Sequence, residues 1–268
     1  MILRLFKRKP YDEGLWIMNG KHQEYRALVS SDWNECLAPC GPFDFISFTH
    51  PLLSPELASI FNKYTGNEIT LSEAAARIAS ILPAPVTEEQ MDAYLDECFE
   101  TYQGVPELME WCSKKHVLFM INTTGAQGYF QRVFRKGLLP HVPVVSAHPT
   151  VKYEEEGNTS PEWCDLLEIQ DKAKNTQEVM ATRAIPPDKT ILMGDSGGDG
   201  PHFEWGAKAG AFLVGSMTKW SLAQYCKNRG IKIDLYFGPR YSQEETRKEE
   251  KERKVNFLDL IPRIENLI

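Results

Sequence analysis

Two carboxylates, Asp195 and Asp199, stand four residues apart in a turn that also holds Gly194, Gly197, Gly198 and Gly200, directly after the apolar run Ile191-Leu192-Met193. Similar settings occur upstream. Asp32 follows the apolar stretch Ala27 to Val29 within a few residues, and Thr123, with Thr124 and Gly125, closes the β-prone run Val117 to Ile121. Lys172 lies in Asp171-Lys172-Ala173-Lys174, at the start of a helical pattern that reaches Thr182. Each of these side-chain types has a use in moving a phosphoryl group. An aspartate can attack phosphorus and carry it covalently. A hydroxyl and an ammonium can hold the transferred oxygens. Paired carboxylates suit a hard divalent cation such as Mg²⁺, which takes few protein ligands beside phosphate. A Gly/Asp-rich turn also forms on backbone grounds alone, so the late pair gains its meaning from the other residues.

To meet, these residues need elements that end side by side. Short apolar runs closed by turn residues read as buried parallel strands, and loops leaving the carboxyl ends of such strands are where open α/β sheets build their sites. Helical patterns follow the strands at Pro106–His116, Gly128–Lys136, Asp171–Thr182, Pro201–Gly210 and Thr218–Arg229. Further strands are expected at Pro143–Ala147 and Ala211–Gly215, with Ile233–Phe237 as an edge strand. Between the first two candidate strands lie a Pro/Gly-marked stretch, Ala38–Pro51, and helical patterns at Pro55–Tyr64, Leu71–Ile81 and Glu88–Thr101. The middle pattern has amphipathic spacing and a capping Thr70 or Ser72. Residues 1–24 read as an extension with an added strand around Leu15–Met18, and Tyr153–Pro161 as a solvated acidic loop.

The ordered set of Asp32, Thr123, Lys172 and the Asp195/Asp199 pair resembles the haloacid dehalogenase (HAD) superfamily of phosphatases and phosphotransferases, over a frame from about Tyr25 to about Phe237. The resemblance implies an α/β fold: a doubly wound, Rossmann-like parallel sheet with a small inserted α-helical cap. Residues 1–40 and 104–268 would form the core and residues 41–103 the cap that selects substrate. It implies Asp32 as the nucleophile, and Mg²⁺ held by Asp32, Asp195, Asp199 and the main-chain carbonyl of Asn34. Thr123, with Thr124, Gly125 and Lys172, would bind the phosphoryl group of a small phosphorylated substrate. Lys172, 23 residues before Asp195, is preferred to Lys174. Asp44, His50 and Lys63 are candidates for substrate selection by position.

One position departs from the family. Its phosphatases carry a second aspartate two residues after the nucleophile, as general acid and then base; here that residue is Asn34. An amide does not exchange a proton near neutral pH, and general acid–base help is worth roughly 10²–10⁴ in rate. Glu35 could supply the proton, although its side chain is expected to point elsewhere. The leaving group could be good enough to need no acid. The chemistry could also differ: Asp32-Trp33 and Thr123-Thr124-Gly125 are similar to segments of the phosphonoacetaldehyde hydrolases, HAD members that cleave a C–P bond with a cap lysine as Schiff base, for which Lys63 would be the candidate. A fourth reading is a non-catalytic member that binds a phosphorylated ligand.

Composition agrees with a soluble enzyme. The 268 residues are 42% hydrophobic and 25% charged, enough for one α/β domain with an insertion. A formal net charge of −7 argues against general nucleic-acid binding. Neither a signal peptide nor a membrane-spanning run is apparent, which points to the cytoplasm. The six cysteines lack zinc-site spacing; Cys36 beside Asp32 is the thiol to test for reactivity. His202 is expected at a helix start on the surface. Mixed charges over Gln243–Lys254 predict an exposed helix. The apolar stripe from Val255 to Ile268 packs back onto the domain or forms a dimer contact, so the chain is expected as monomer or homodimer.

Overall fold

Ala27–Ser31 is buried along its whole length because it has a parallel neighbour on each side. Ser31 is in register with Ile121 on one flank and with Met193 on the other. The computed structural model describes residues 24–65, 68–154 and 161–268; the N-terminal extension and residues 155–160 of the acidic loop lie outside them. Among the described residues the strands are β1 (Ala27–Ser31), β2 (Val117–Ala126), β3 (Val144–His148), β4 (Glu162–Asp165), β5 (Thr190–Gly194), β6 (Phe212–Ser216) and β7 (Leu235–Phe237). They form one parallel sheet in the order β4-β3-β2-β1-β5-β6-β7. The chain winds outward from β1 to β4, then returns to the other flank of β1 and winds out to β7. This is the doubly wound α/β architecture expected from the sequence, with its switch point at β1.

Strand side chains alternate between the two faces. Ala27 and Val29 pack into one core with Val105, Leu108, Phe130 and Val133, from the helices Val105–Lys114 and Gln127–Arg135. Leu28 points into the opposite core with Val179 and Met180, from the helix Asp171–Thr182. Burying both faces removes polar alternation from the strands, which is why they read in sequence as short apolar runs.

Between β1 and the core helix Val105–Lys114 the described residues of the insertion form the α-helices Asp44–Thr49, Ser54–Thr65, Leu71–Ile81 and Glu88–Cys98. Two open on capping boxes, Thr70 with Glu73 and Thr87 with Gln90, each worth about 1 kcal/mol. The insertion is tied to the rest of the chain at several places, among them the Tyr153 hydroxyl on the Val86 carbonyl and the Lys136–Asp96 pair. Glu168 accepts hydrogen bonds from the main-chain N–H groups of Leu71 (3.1 Å) and Ser72 (3.2 Å). Arg132 grips Asp92 through two bonds of 2.8 and 2.6 Å.

The structure adds to or corrects the local reading at three places. Asp44–Thr49 is helical; Gly41 and Pro42 just before it hid a short helix that a packed aromatic, Phe45, stabilises from outside the local pattern. Glu162–Asp165 is a strand, too short and too exposed to show a period. In the charged tail only Glu249–Glu252 is helical; Glu249, Glu250 and Lys251 are exposed as expected, but Glu252 is fully buried. Its carboxylate accepts bonds from the hydroxyls of Tyr102 (2.6 Å) and Tyr241 (2.8 Å) and from Arg247 (2.6 Å). Beyond it the apolar stripe packs back: Phe257, Leu260 and Ile264 are buried, with Phe257 stacked on Tyr102 at 6.1 Å between centroids. Among the described residues no helix is long and apolar enough to cross a membrane.

Burial pushes the Glu252 carboxyl up, but bonds from Arg247, Tyr102 and Tyr241 outweigh it and hold the group below the ordinary 4.5. A depressed carboxyl stabilises the fold above its unfolded value, and that stabilisation is lost as pH falls through the folded value. Glu252→Gln is therefore expected to cost about 2–3 kcal/mol at neutral pH. In urea titrations the gap from the parent should close below about pH 4.5.

Candidate active site

Because β1, β2 and β5 are adjacent and in register, their ends deliver Asp32, Thr123 and Asp195 to one edge of the sheet. Asp32 follows β1 at once, its N–H donating to the Met193 carbonyl of β5 at 3.0 Å. The carboxylate is aimed by its neighbour: Trp33 N donates to Asp32 Oδ1 at 2.7 Å. Trp33 is itself fully buried, edge-on to Phe130 at 5.5 Å, so the loop after β1 is anchored by a large side chain. Its carbonyl also accepts the N–H groups of Leu37 (2.9 Å) and Ala38 (3.1 Å), and the resulting tight turn places Glu35 in the left-handed region at φ 59°.

The glycine-rich turn after β5 serves a packing need. Asp199 folds back so that its Oδ2 accepts the N–H groups of Asp195 (3.0 Å) and Ser196 (3.2 Å). A Cβ on Gly194 would lie 2.4 Å from Asp199 Cγ. Only glycine lets the strand end approach this carboxylate. Asp32, Asp195 and Asp199, all buried, thus present oxygens within 4.8 Å of one another.

Lys172 completes the group. Its ammonium lies 3.1 Å from Asp32 Oδ2 and 2.6 Å from Asp199 Oδ1, and the side chain is 1% exposed. Its position is fixed by a buried polar knot one turn along its helix. Asn122 donates to the Lys172 carbonyl (2.9 Å), Thr176 Oγ1 (3.0 Å) and Ser30 Oγ (3.1 Å), and Thr176 also meets His202 Nε2 at 3.0 Å. His202 is therefore buried rather than on the surface. Burial above all, with the nearby Lys172 charge, pushes it down to about 3, so it sits neutral as a partner within the knot. Lys174 is exposed.

The charges explain the ionisation. Burial, opposed by Lys172 and reinforced by Asp199, raises Asp32. Asp195 is pushed up to about 8, first by burial and then by repulsion from Asp199 and Asp32, against the pull of Lys219. Lys172 is raised because the two carboxylates outweigh its burial. Three carboxylates packed this closely carry more negative charge than Lys172 and Lys219 offset, and a divalent cation among their oxygens is the chemistry that the donor set fits.

Lys219 escaped the sequence reading. It lies 2.8 Å from Asp195 Oδ2 and pairs with Glu35, which also pairs with Arg247. A chain of charge therefore runs from Asp195 through Lys219, Glu35 and Arg247 to Glu252. The signal was its place just past β6, next to the strand that delivers Asp195; it read instead as the start of a helix. Glu35, expected to point elsewhere, lines the same cavity.

That cavity has a volume of about 560 Å³ with open solvent included, and Asp32, Asn34, Thr124, Lys172, Asp195 and Lys219 line it from below. The insertion supplies Pro42, Phe61 and Tyr64. Tyr64 faces Thr124, and burial pushes its hydroxyl up to about 12. Thr123 does not line the cavity directly: its hydroxyl donates to Asn34 Oδ1 at 3.2 Å and accepts from Gly125 N at 3.2 Å. Asn34 also donates from Nδ2 to the Cys40 carbonyl at 3.2 Å. Asp44, His50 and Lys63 are outside the lining. Lys63 is exposed, which removes the lysine that a Schiff-base chemistry would use. Burial raises the Cys36 thiol well above its usual range, so it packs rather than reacts.

Neither a family model nor a curated protein matches the sequence. Solved structures do. A phosphoaspartyl-intermediate analogue of phosphoserine phosphatase superposes with a TM-score of 0.61 at 12% identity, over 89% of this chain and 99% of the other. A HAD family hydrolase from Salmonella enterica serovar Typhi gives 0.62 at 16% identity, over 92% and 74%. Cytosolic 5'-nucleotidase IIIB bound to cytidine gives 0.53 at 13%, over 91% and 87%. The chain shares its fold with these structures. At these identities the likeness speaks for the fold, and the site is argued from its own residues.

Gly194→Ala should displace Asp199 and lower stability by about 1–3 kcal/mol. An unchanged urea midpoint would show that the close approach of strand and carboxylate is not needed.

Proposed function

We propose that the chain is a Mg²⁺-dependent phosphohydrolase of the HAD type, acting on a small phosphorylated metabolite through an aspartyl-phosphate on Asp32. The observation that carries this reading is the convergence of three buried aspartates within 4.8 Å, with Lys172 bridging two of them, at the switch point of the sheet. Asp32, held by the Trp33 N–H, is aligned for attack on phosphorus. Lys172 and the Thr124-Gly125 segment hold the phosphoryl oxygens, and Thr123 joins them when its hydroxyl leaves Asn34 Oδ1. Asp32, Asp195, Asp199 and the Asn34 carbonyl would hold Mg²⁺, which when bound offsets the charge gathered on the phosphoryl oxygens. Residues 41–103 act as a cap that limits water, and residues 1–40 and 104–268 as the core, in a cytoplasmic enzyme. The charge around the cavity supports this. With the Arg247–Glu252 pair balanced within itself, Asp32, Asp195, Asp199 and Glu35 outnumber Lys172 and Lys219 by two, an excess that a divalent cation would offset.

The test is twofold. Asp32→Asn should lower hydrolysis of acetyl phosphate at least about 10³-fold, and the parent should yield a trapped phosphoryl-aspartate by mass spectrometry. Persistent turnover in that variant ends the nucleophile assignment. Independently of activity, Mg²⁺ should raise the melting temperature, by mass action on the folded state, and Asp195→Asn should remove most of the shift. A shift of equal size in the variant would place the cation elsewhere.

A further inference from the structure

Within this phosphohydrolase reading, the surroundings of the leaving group are unusual in two respects. First, among the described residues no free carboxylate or imidazole is placed to hand it a proton. Asn34, two residues past Asp32, is tied at both ends of its amide, to Cys40 and to Thr123. Glu35 is the next carboxylate in the lining, but one of its oxygens is taken by Lys219 and the other by Arg247. Second, the roof is apolar. The insertion contributes only Pro42, Phe61 and Tyr64 to the described lining, and Phe61 continues an aromatic row between Phe43 (6.0 Å, edge-on) and Tyr64 (6.5 Å, tilted). Ile169 adds a further apolar wall from the core side. An ammonium, a carboxylate or a run of hydroxyls on the leaving group would meet no charged partner from this roof.

We infer that the substrates of this site are phosphate monoesters of planar, acidic hydroxyls, phenols or enols, whose oxyanion leaves unprotonated beneath Phe61 and Tyr64. An Asp32 oxygen attacks phosphorus, and the bond from phosphorus to the ester oxygen breaks with its electron pair on that oxygen. The products are a phenolate or enolate and the phosphoryl-aspartate. The anion is stabilised by delocalisation into its own π-system and later takes a proton from solvent. Water then attacks phosphorus, restoring the Asp32 carboxylate, and both of its protons end on the released dihydrogen phosphate. The aromatic roof offers such planar groups edge and face contacts of the kind worth about 0.5–1.5 kcal/mol per ring pair.

A leaving-group series tests this. The probes are phenyl phosphates substituted to span a range of phenol acidity, two alkyl esters (phosphoserine and glycerol phosphate), and acetyl phosphate, all assayed with Mg²⁺ in the full chain. kcat/KM should fall steeply as the leaving group becomes more basic, with the alkyl esters about 10²–10⁴-fold below the phenyl esters. Asn34→Asp should flatten the slope by raising the alkyl esters; the introduced carboxyl faces the Cys40 carbonyl, which favours its protonated form. Phe61→Ala should raise KM for the phenyl esters at least about 5-fold more than for acetyl phosphate. Alkyl esters turned over as fast as phenyl esters would overturn the inference, as would a shallow slope that steepens in Tyr64→Phe, which would make that phenol the acid. No turnover of any probe, acetyl phosphate included, would instead overturn the phosphohydrolase reading itself, and this inference with it.

Discussion

A single buried ammonium, Lys172, sits between two carboxylates in a place that water scarcely reaches, and the rest of the architecture follows from keeping it there. Removing one partner from such a cluster strands a buried charge at a cost of several kcal/mol. The cluster therefore needs rigid walls. β1, β2 and β5 supply them by running parallel and ending together. The Ser30, Asn122, Thr176 and His202 knot beneath holds the helix that carries the lysine. Each of these four side chains bonds to a partner on a different element, so no one segment can shift alone.

The second constraint is electrostatic reach. Asp195 is connected through Lys219, Glu35 and Arg247 to Glu252, so the charged tail is built into the wall of the site rather than trailing from it. Acidic and basic groups alternate along this path, which lets its five side chains approach one another, and Tyr102 and Tyr241 close its far end. The insertion contributes differently, with aromatic surface and almost no charge above the same cavity. The floor of the cavity thus handles charge and the roof handles shape, a division that suits an anionic group attached to an apolar one.

Much of this was legible in the chain itself. The apolar runs ending in Asp32, Thr123 and Asp195 announced parallel strands because strands covered on both faces lose their polar alternation, and Asp171–Thr182 was legible as a helix to the residue. The preference for Lys172 over Lys174 rested on order and distance along the chain, and burial agrees. Elements with weak periods were not legible. Asp44–Thr49 is shorter than two turns of helix, and β4 has only four residues, none of them fully buried.

What the residues determined by themselves was the alphabet of the site: acids and glycines at strand ends, a lysine at a helix start, and an amide where a proton carrier was expected. Tertiary structure alone decided which distant groups became neighbours. Lys219, Glu35 and Arg247 are spread over more than two hundred residues, and His202 and Glu252 look like surface residues in any local window. Their burial comes from helices and a tail that fold across the sheet, and side-chain ionisation depends on that enclosure rather than on the identity of adjacent residues.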